Sequence, residues 1–187
     1  MAITIWIKIY ILISNILYLN RPNWAVFLCL NMKYRQLTKE QFLELSNEFS
    51  KFLATQQIDV KEWEAIKKEK PVMAEEELNI FSDVVWEDVL TKTKFLEHIS
   101  KNDINLFKCS SKEIIRIYIK LKDPSKSFLD KNDFNWFLKN PVNENIDYFK
   151  ASKKYSQERN IELFNLIEMG SVISKGDLFN AISQLIQ

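Results

Sequence analysis

The hydrophobic period of this chain changes once, and that change limits the folds open to it. After Thr93 three apolar runs alternate with period two: Phe95–Ile99, Ile104–Cys109 and Ile114–Leu121. Such alternation marks half-buried strands. The connections, Ser100-Lys101-Asn102-Asp103 and Ser110-Ser111-Lys112, are too short for a crossover, so neighbouring strands must run antiparallel. In the third run Ile115, Ile117, Ile119 and Leu121 face one way, and Arg116, Tyr118 and Lys120 the other. Helices are expected to cover the first face and leave the second wetter.

Ahead of these strands the spacing is helical. Thr38-Lys39-Glu40-Gln41 reads as a capping box. Phe42, Leu45, Phe49, Phe52 and Leu53 then predict one amphipathic helix to about Gln56. Asp59 opens a second helix carrying Trp63 and Ile66, which Pro71 ends. A third is expected from about Val72 to Leu90, with Leu78, Phe81, Val85 and Val89 as its stripe. Beyond the strands, Asp130 or Asn132 caps a helix bearing Phe134, Trp136, Phe137 and Leu138. Asn145–Ala151 predicts a fourth strand. Ser156 is expected to cap a helix that ends at Gly170, and Ser174-Lys175-Gly176-Asp177 to start a final one. The fold class is therefore α+β: N-terminal helices, an antiparallel meander of three to four strands, and C-terminal helices. Residues 32–187 are expected to form a single domain of this kind.

The first 31 residues differ in kind. They contain no acidic residue, and Ile3–Leu19 is apolar apart from Lys8, Ser14 and Asn15. A membrane anchor needs about 20 predominantly apolar residues, and this run is short and interrupted. A signal peptide would place its positive charge ahead of the apolar run and end at a small-x-small site. Lys8 lies inside the run and no such site follows. The favoured reading is a spurious upstream extension, with Met32 as the start; an anchor over residues 3–19 is the alternative. Removing Lys8 and Arg21 from the 26 basic residues leaves 24 against 25 acidic ones, a near-neutral domain.

That balance gives no global pull toward nucleic acid. Two glycines in 187 residues exclude Gly-rich phosphate loops, and one His with two distant cysteines, Cys29 and Cys109, gives no zinc spacing. Two cysteines also cannot build a disulfide framework, so a reducing cytoplasm is the expected compartment. No nucleophile elbow, metalloprotease or redox motif is present, and no catalytic residue, cofactor or metal is expected.

The segments "MKYRQLTKEQF", "FLATQ", "IFSDVVWEDVL", "LEHIS", "INLFKC" and "ASKKYSQERNIELFNLIEMG" resemble a conserved hypothetical family of the Bacteroidota, a domain of unknown function. The resemblance runs from Met32 to about residue 185. It implies a small bacterial cytoplasmic protein, and it carries over no catalytic or binding residue.

Four groups of side chains invite a functional reading. His98 and Cys109, on neighbouring strands, would make a nucleophile pair if the register brought them together; the structural alternative is a small buried thiol. Glu75, Glu76, Glu77, Asp83, Glu87 and Asp88 share one helix and offer paired carboxylates, or simple compensation of the helix dipole. Tyr148, Lys150, Lys153, Lys154, Tyr155 and Arg159 interleave cations with aromatic rings, the chemistry of single-strand RNA binding, or else form a solvated edge strand. Trp63 and Trp86 are core residues or anchors of a protein-facing patch. The reading favoured overall is a non-enzymatic protein-interaction or regulatory module whose partner is a protein. Weak nucleic-acid binding through residues 148–159 and an enzyme with an unrecognised site, joining His98 to carboxylates, are the alternatives.

Overall fold

The computed structural model describes residues 32–186. The expected extension and its anchor and signal-peptide alternatives, together with Cys29, lie outside the described residues. The fold is α+β, with helices toward both ends and a five-stranded antiparallel sheet. By packing it divides into two compact units, the first ending at Val89 and the second beginning at Leu90. No helix among the described residues is long and apolar enough to cross a membrane.

The first unit is helical: α1 (Lys39–Glu44), α2 (Ser46–Thr55), α3 (Val60–Glu69) and α4 (Pro71–Lys92), whose last turn enters the second unit. The capping box is complete: the Gln41 amide donates to the Thr38 hydroxyl at 3.3 Å, and the Thr38 amide to the Gln41 side chain at 2.9 Å. The single helix expected to Gln56 is instead two, interrupted at Leu45 (φ −100°, ψ 20°). Asp59 caps α3 by accepting from the Glu62 amide at 2.8 Å. Pro71 ends α3 and begins α4, where its missing N–H costs nothing. Phe49 is the hub of the aromatic packing, with ring centroids 5.8 Å from Phe42, 5.3 Å from Trp63 and 5.1 Å from Phe81.

Only Phe81 of the expected α4 stripe is fully buried; Ala74, Glu77, Ser82 and Trp86 join it. The reason is a second layer that periodicity does not announce. An extended strap, residues 33–37, runs along α4 and is tied to it by polar bonds. The Lys33 and Tyr34 amides donate to the two oxygens of Asp83 at 2.8 and 2.9 Å, and the Leu37 amide donates to the Ser82 hydroxyl at 3.1 Å. The Trp86 indole donates to the Arg35 carbonyl at 3.0 Å.

The second unit holds the sheet, in the order β4-β3-β2-β1-β5: β1 (Phe95–Ile99), β2 (Asp103–Cys109), β3 (Glu113–Leu121), β4 (Ile146–Lys154) and β5 (Val172–Ser174). Its helices are α5 (Lys131–Lys139), α6 (Arg159–Glu168) and α7 (Asp177–Leu185). The two hairpins of the meander share one turn chemistry. Ser100 and Ser110 each donate their amide to the carbonyl three residues on, at 2.8 and 3.0 Å. Their hydroxyls accept from the Asp103 and Glu113 amides at 3.2 and 3.0 Å. These turns set the register, and with it the face each side chain occupies.

One face carries the core: Ile104, Leu106, Ile117 and Ile119 against Phe137 of α5 and Phe179 and Ile182 of α7. Phe137, Leu106, Ile117 and Ile119 are essentially inaccessible, each contributing roughly 1.5–3 kcal/mol through burial. The opposite face is drier than alternation predicts, because Leu96, Phe107, Cys109 and Ile114 on it are buried. Helix α6 reaches this face. It begins at Arg159, three residues beyond the expected Ser156 cap, because the Ser156 amide and hydroxyl are bound to Glu162 instead. Gly170, at φ +96°, closes α6 with paired bonds from Gly170 to the Ile167 carbonyl and from Ser171 to that of Leu166. The fifth strand was not expected. It is three residues long, too short for any period to show.

Candidate functional site

The pleat takes the basic-aromatic stretch apart. In the β3–β4 register Tyr148, Lys150 and Lys154 lie on the core-side face, whereas Phe149 and Lys153 lie on the other. Several members are also committed within the fold. The Tyr148 hydroxyl donates to the Pro141 carbonyl at 2.7 Å, and the Tyr155 hydroxyl to that of Ser110 at 2.9 Å; burial pushes both phenols up to about 12. Lys150 reaches the Ser183 hydroxyl at 3.3 Å. Arg159 donates to the carbonyls of Leu90 at 2.8 Å, Ser110 at 3.0 Å, Cys109 at 3.2 Å and Thr93, satisfying the end of α4 and the end of β2 together. Cations divided between two faces make no continuous track for a phosphate backbone.

The other expected groups find structural partners too. His98 stands opposite Asn105, and the Cys109 amide donates to the Lys94 carbonyl. His98 and Cys109 are thus four residues apart along the sheet, roughly 13 Å, and form no pair. The buried Cys109 thiol is pushed up to about 11 by desolvation, against the opposing charge of Arg159, so little thiolate exists at neutral pH. Of the α4 carboxylates, Asp83 holds the strap and Glu87 accepts from the Tyr34 hydroxyl at 2.6 Å. Glu75 accepts from Gln36 at 2.9 Å and Glu77 from Gln56 at 2.7 Å. Burial raises the carboxyls of Asp83 and Glu77. No group of three potential metal ligands occurs among the described residues. Trp86, 7% exposed, is interior to its unit, with the Arg35 guanidinium 5.0 Å over its ring; half-buried Trp63 packs on Phe49.

What the strands do assemble is a cleft of about 820 Å³ on the second face of the sheet, bordered by α6. His98, Asn105 and Arg116 bring polar groups to it from three consecutive strands, above the apolar surface of Phe107 and Ile114. Arg116 donates through Nε to the Asn105 Oδ1 at 2.9 Å and through Nη2 to the same oxygen. Asn105 in turn donates to Asp103 at 3.0 Å. The guanidinium stands 5.2 Å over the Tyr118 ring, and that ring lies 6.0 Å from Phe149. One carboxylate, Glu162, lines the cleft. It accepts from Lys153 Nζ at 2.7 Å, from the Ser156 hydroxyl at 3.0 Å, and from the Ser156 and Gln157 amides. Burial alone would raise this carboxyl; the Lys153 ammonium and the Ser156 and Gln157 donors outweigh it and hold it at about 2. A carboxylate that acidic is a feeble general base, so its presence near His98 assembles no acid–base pair.

A second, apolar feature lies at the β5 end of the sheet. Ile99, Phe134, Leu138, Ile173 and Leu178 line a groove of about 700 Å³ between β5, α5 and α7, and Glu97, Lys175 and Asp177 bring charge to its border. Leu138 is 49% exposed there, while Ile173, 47% exposed, pairs with Leu96 and turns its side chain to the other face of the sheet.

Residues 32–187 match the sequence model of a family of unknown function, DUF6495. The chain belongs to that family. No curated protein and no solved structure matches it. The DUF6495 match names no activity, so the cleft and the groove are the two places where this member's chemistry can be argued. Neither was visible as a site in the sequence. The polar alternation of β3 did place Arg116 and Tyr118 together, but their meeting with Asn105 and His98 depends on register. The groove depends on β5, which carries no periodic signal.

Proposed function

We propose that this DUF6495 chain is a non-enzymatic protein-interaction module that takes an extended, apolar segment of a partner protein along β5. The carrying observation is that strand's exposed outer edge. β5 ends the sheet, so one side of its backbone has no strand neighbour among the described residues, and the apolar groove opens beside it. An added strand would use the free backbone groups for affinity and the groove for side-chain selection. The buried, protonated thiol of Cys109 and the locked carboxylate of Glu162 support a binding role over a catalytic one. A reducing bacterial cytoplasm belongs to this reading, supported by the free Cys109.

The test is a peptide-display selection against the whole chain, followed by NMR titration of the selected peptides. Peptides with alternating apolar residues should emerge, shift the Val172–Ser174 amides, and lose binding in Ile173→Asp and Leu138→Asp variants. Selected peptides that bind equally well to both variants would overturn the proposal, as would a selection that yields none.

A further inference from the structure

Independently of the β5 edge, we propose that the cleft over β1, β2 and β3 is a binding site for a small organic carboxylate with an apolar body, its anionic end held by Arg116. Arg116 is an exposed cation to which no carboxylate is paired among the described residues. It is nevertheless held in place. Its Nε and one Nη2 hydrogen are turned to the Asn105 carbonyl oxygen, and its plane lies over Tyr118. Asn105 is itself buried and fixed by Asp103. A guanidinium bound along its Nε–Nη2 side keeps the other fork, Nη1 with Nη2, open. That fork matches the two oxygens of one carboxylate. Because the side chain is ordered before any ligand arrives, less entropy is lost on binding.

The surroundings decide what kind of anion fits. The cleft's own acid cannot compete for Arg116, since Lys153, Ser156 and Gln157 occupy it. The same pair removes Lys153 as a second free cation, which leaves a single charge for a monoanion and makes a phosphate dianion a poor match. His98 and Asn165 supply further polar partners around that charge. Phe107, Ile114 and Leu166 offer the apolar surface, and about 820 Å³ is ample for a ligand of metabolite size. Gly170 lies against His98: a Cβ there would stand 3.5 Å from the His98 Nε2.

The experiment is a titration of the full chain, followed through its amide resonances and the Arg116 Nε–H, with three probes: phenylacetate, benzyl alcohol and inorganic phosphate. Phenylacetate is expected to give saturable shifts centred on Asn105, Arg116 and Ala151. Benzyl alcohol, which has the ring but no charge, and phosphate, which has the charge but no ring, should each bind at least about tenfold more weakly. Arg116→Gln should weaken phenylacetate by about tenfold or more, and Arg116→Lys, which keeps the charge but loses the fork, by a smaller factor. Preserved amide dispersion in both variants separates loss of the site from loss of the fold. Failure of phenylacetate to saturate overturns the proposal. So does phosphate binding as tightly on the same residues, and so does affinity unchanged in either folded variant.

Discussion

The two edges of the sheet are built to opposite specifications. β4 is nine residues long and carries Lys150, Lys153 and Lys154, and Lys153 is tied to α6 through Glu162. A long edge strand is a template for unwanted pairing, and lysines are a common way of discouraging it. β5 is only three residues long, bears exposed Val172 and Ile173, and has no charged side chain of its own. One edge repels added strands; the other leaves its backbone beside an apolar groove. On the proposed reading, the difference separates a protected edge from one open to a partner.

Four changes would break or sharpen that contrast. The largest effect is expected from Gly176→Ala, which strikes the turn joining β5 to α7. Gly176 sits at φ +85°, and an added Cβ would fall 2.5 Å from the Phe95 ring, itself packed 5.6 Å from Phe179. Strain and overlap together should cost about 3 kcal/mol, read as a lower midpoint in urea, with the β5 amides losing protection first. An unchanged midpoint would mean the β5 edge is not held by that turn.

Next comes the anchor of the β4 edge. Glu162 titrates at about 2, below its ordinary 4.5, so the folded state favours the charged form. Its contribution is complete above about pH 4.5, declines as pH falls, and is gone below about pH 2. With Lys153 at 64% side-chain exposure and therefore well solvated, about 1–2 kcal/mol is a reasonable size. Glu162→Gln should lower stability at pH 7 and flatten this part of the acid limb in denaturant melts taken across pH. A mutant limb as steep as the wild type would remove Glu162 from the account.

Smaller in stability, but visible in assembly, is the double change Lys150→Val with Lys154→Val. Surface substitutions of this kind shift stability by about 0.5 kcal/mol or less. Stripping the edge of its charge should nevertheless promote self-association, seen by light scattering as mass rising with concentration. A variant that stays as monodisperse as the parent would show that the lysines protect nothing. The least effect on stability is expected from Ile173→Lys, which gives β5 the character of β4. Melting should move by less than about 0.5 kcal/mol, while binding of an extended peptide is lost. Retained binding would place the peptide elsewhere.

Legibility in the sequence followed locality. The Thr38, Asp59 and Asp130 caps were readable because each is completed by an amide two or three residues away. The first four strands were readable because alternation is a local property, and Ile146–Lys154 falls close to the expected Asn145–Ala151. Features resting on distant partners were not. Ser156 looked like a cap, yet Glu162, six residues on, takes its amide and its hydroxyl. Asp83 and Glu87 looked available for chemistry, yet residues 33–34, about fifty positions earlier, claim them. The run from Tyr148 to Arg159 looked like one basic patch because a sequence does not show which face a residue takes. The cleft stayed hidden for the same reason: a slip of one residue between β2 and β3 would turn Asn105 and Arg116 to opposite sides.

The twin serine turns have a consequence for the order in which the sheet is made. Each closes a hairpin over two residues, and such contacts form on a microsecond scale with little loss of chain entropy. β4 joins only after α5 intervenes, and β5 only after α6, so both must wait for longer loops to close. The three central strands are thus expected to assemble as a nucleus, bringing His98, Asn105 and Arg116 together before β4 and α6 complete the cleft. Mutations in the serine turns should then slow folding, and mutations in β5 should chiefly speed unfolding, a division that stopped-flow kinetics would resolve. A partner segment arriving at β5 would be laying down the next strand in a sequence of additions that began at Ser100.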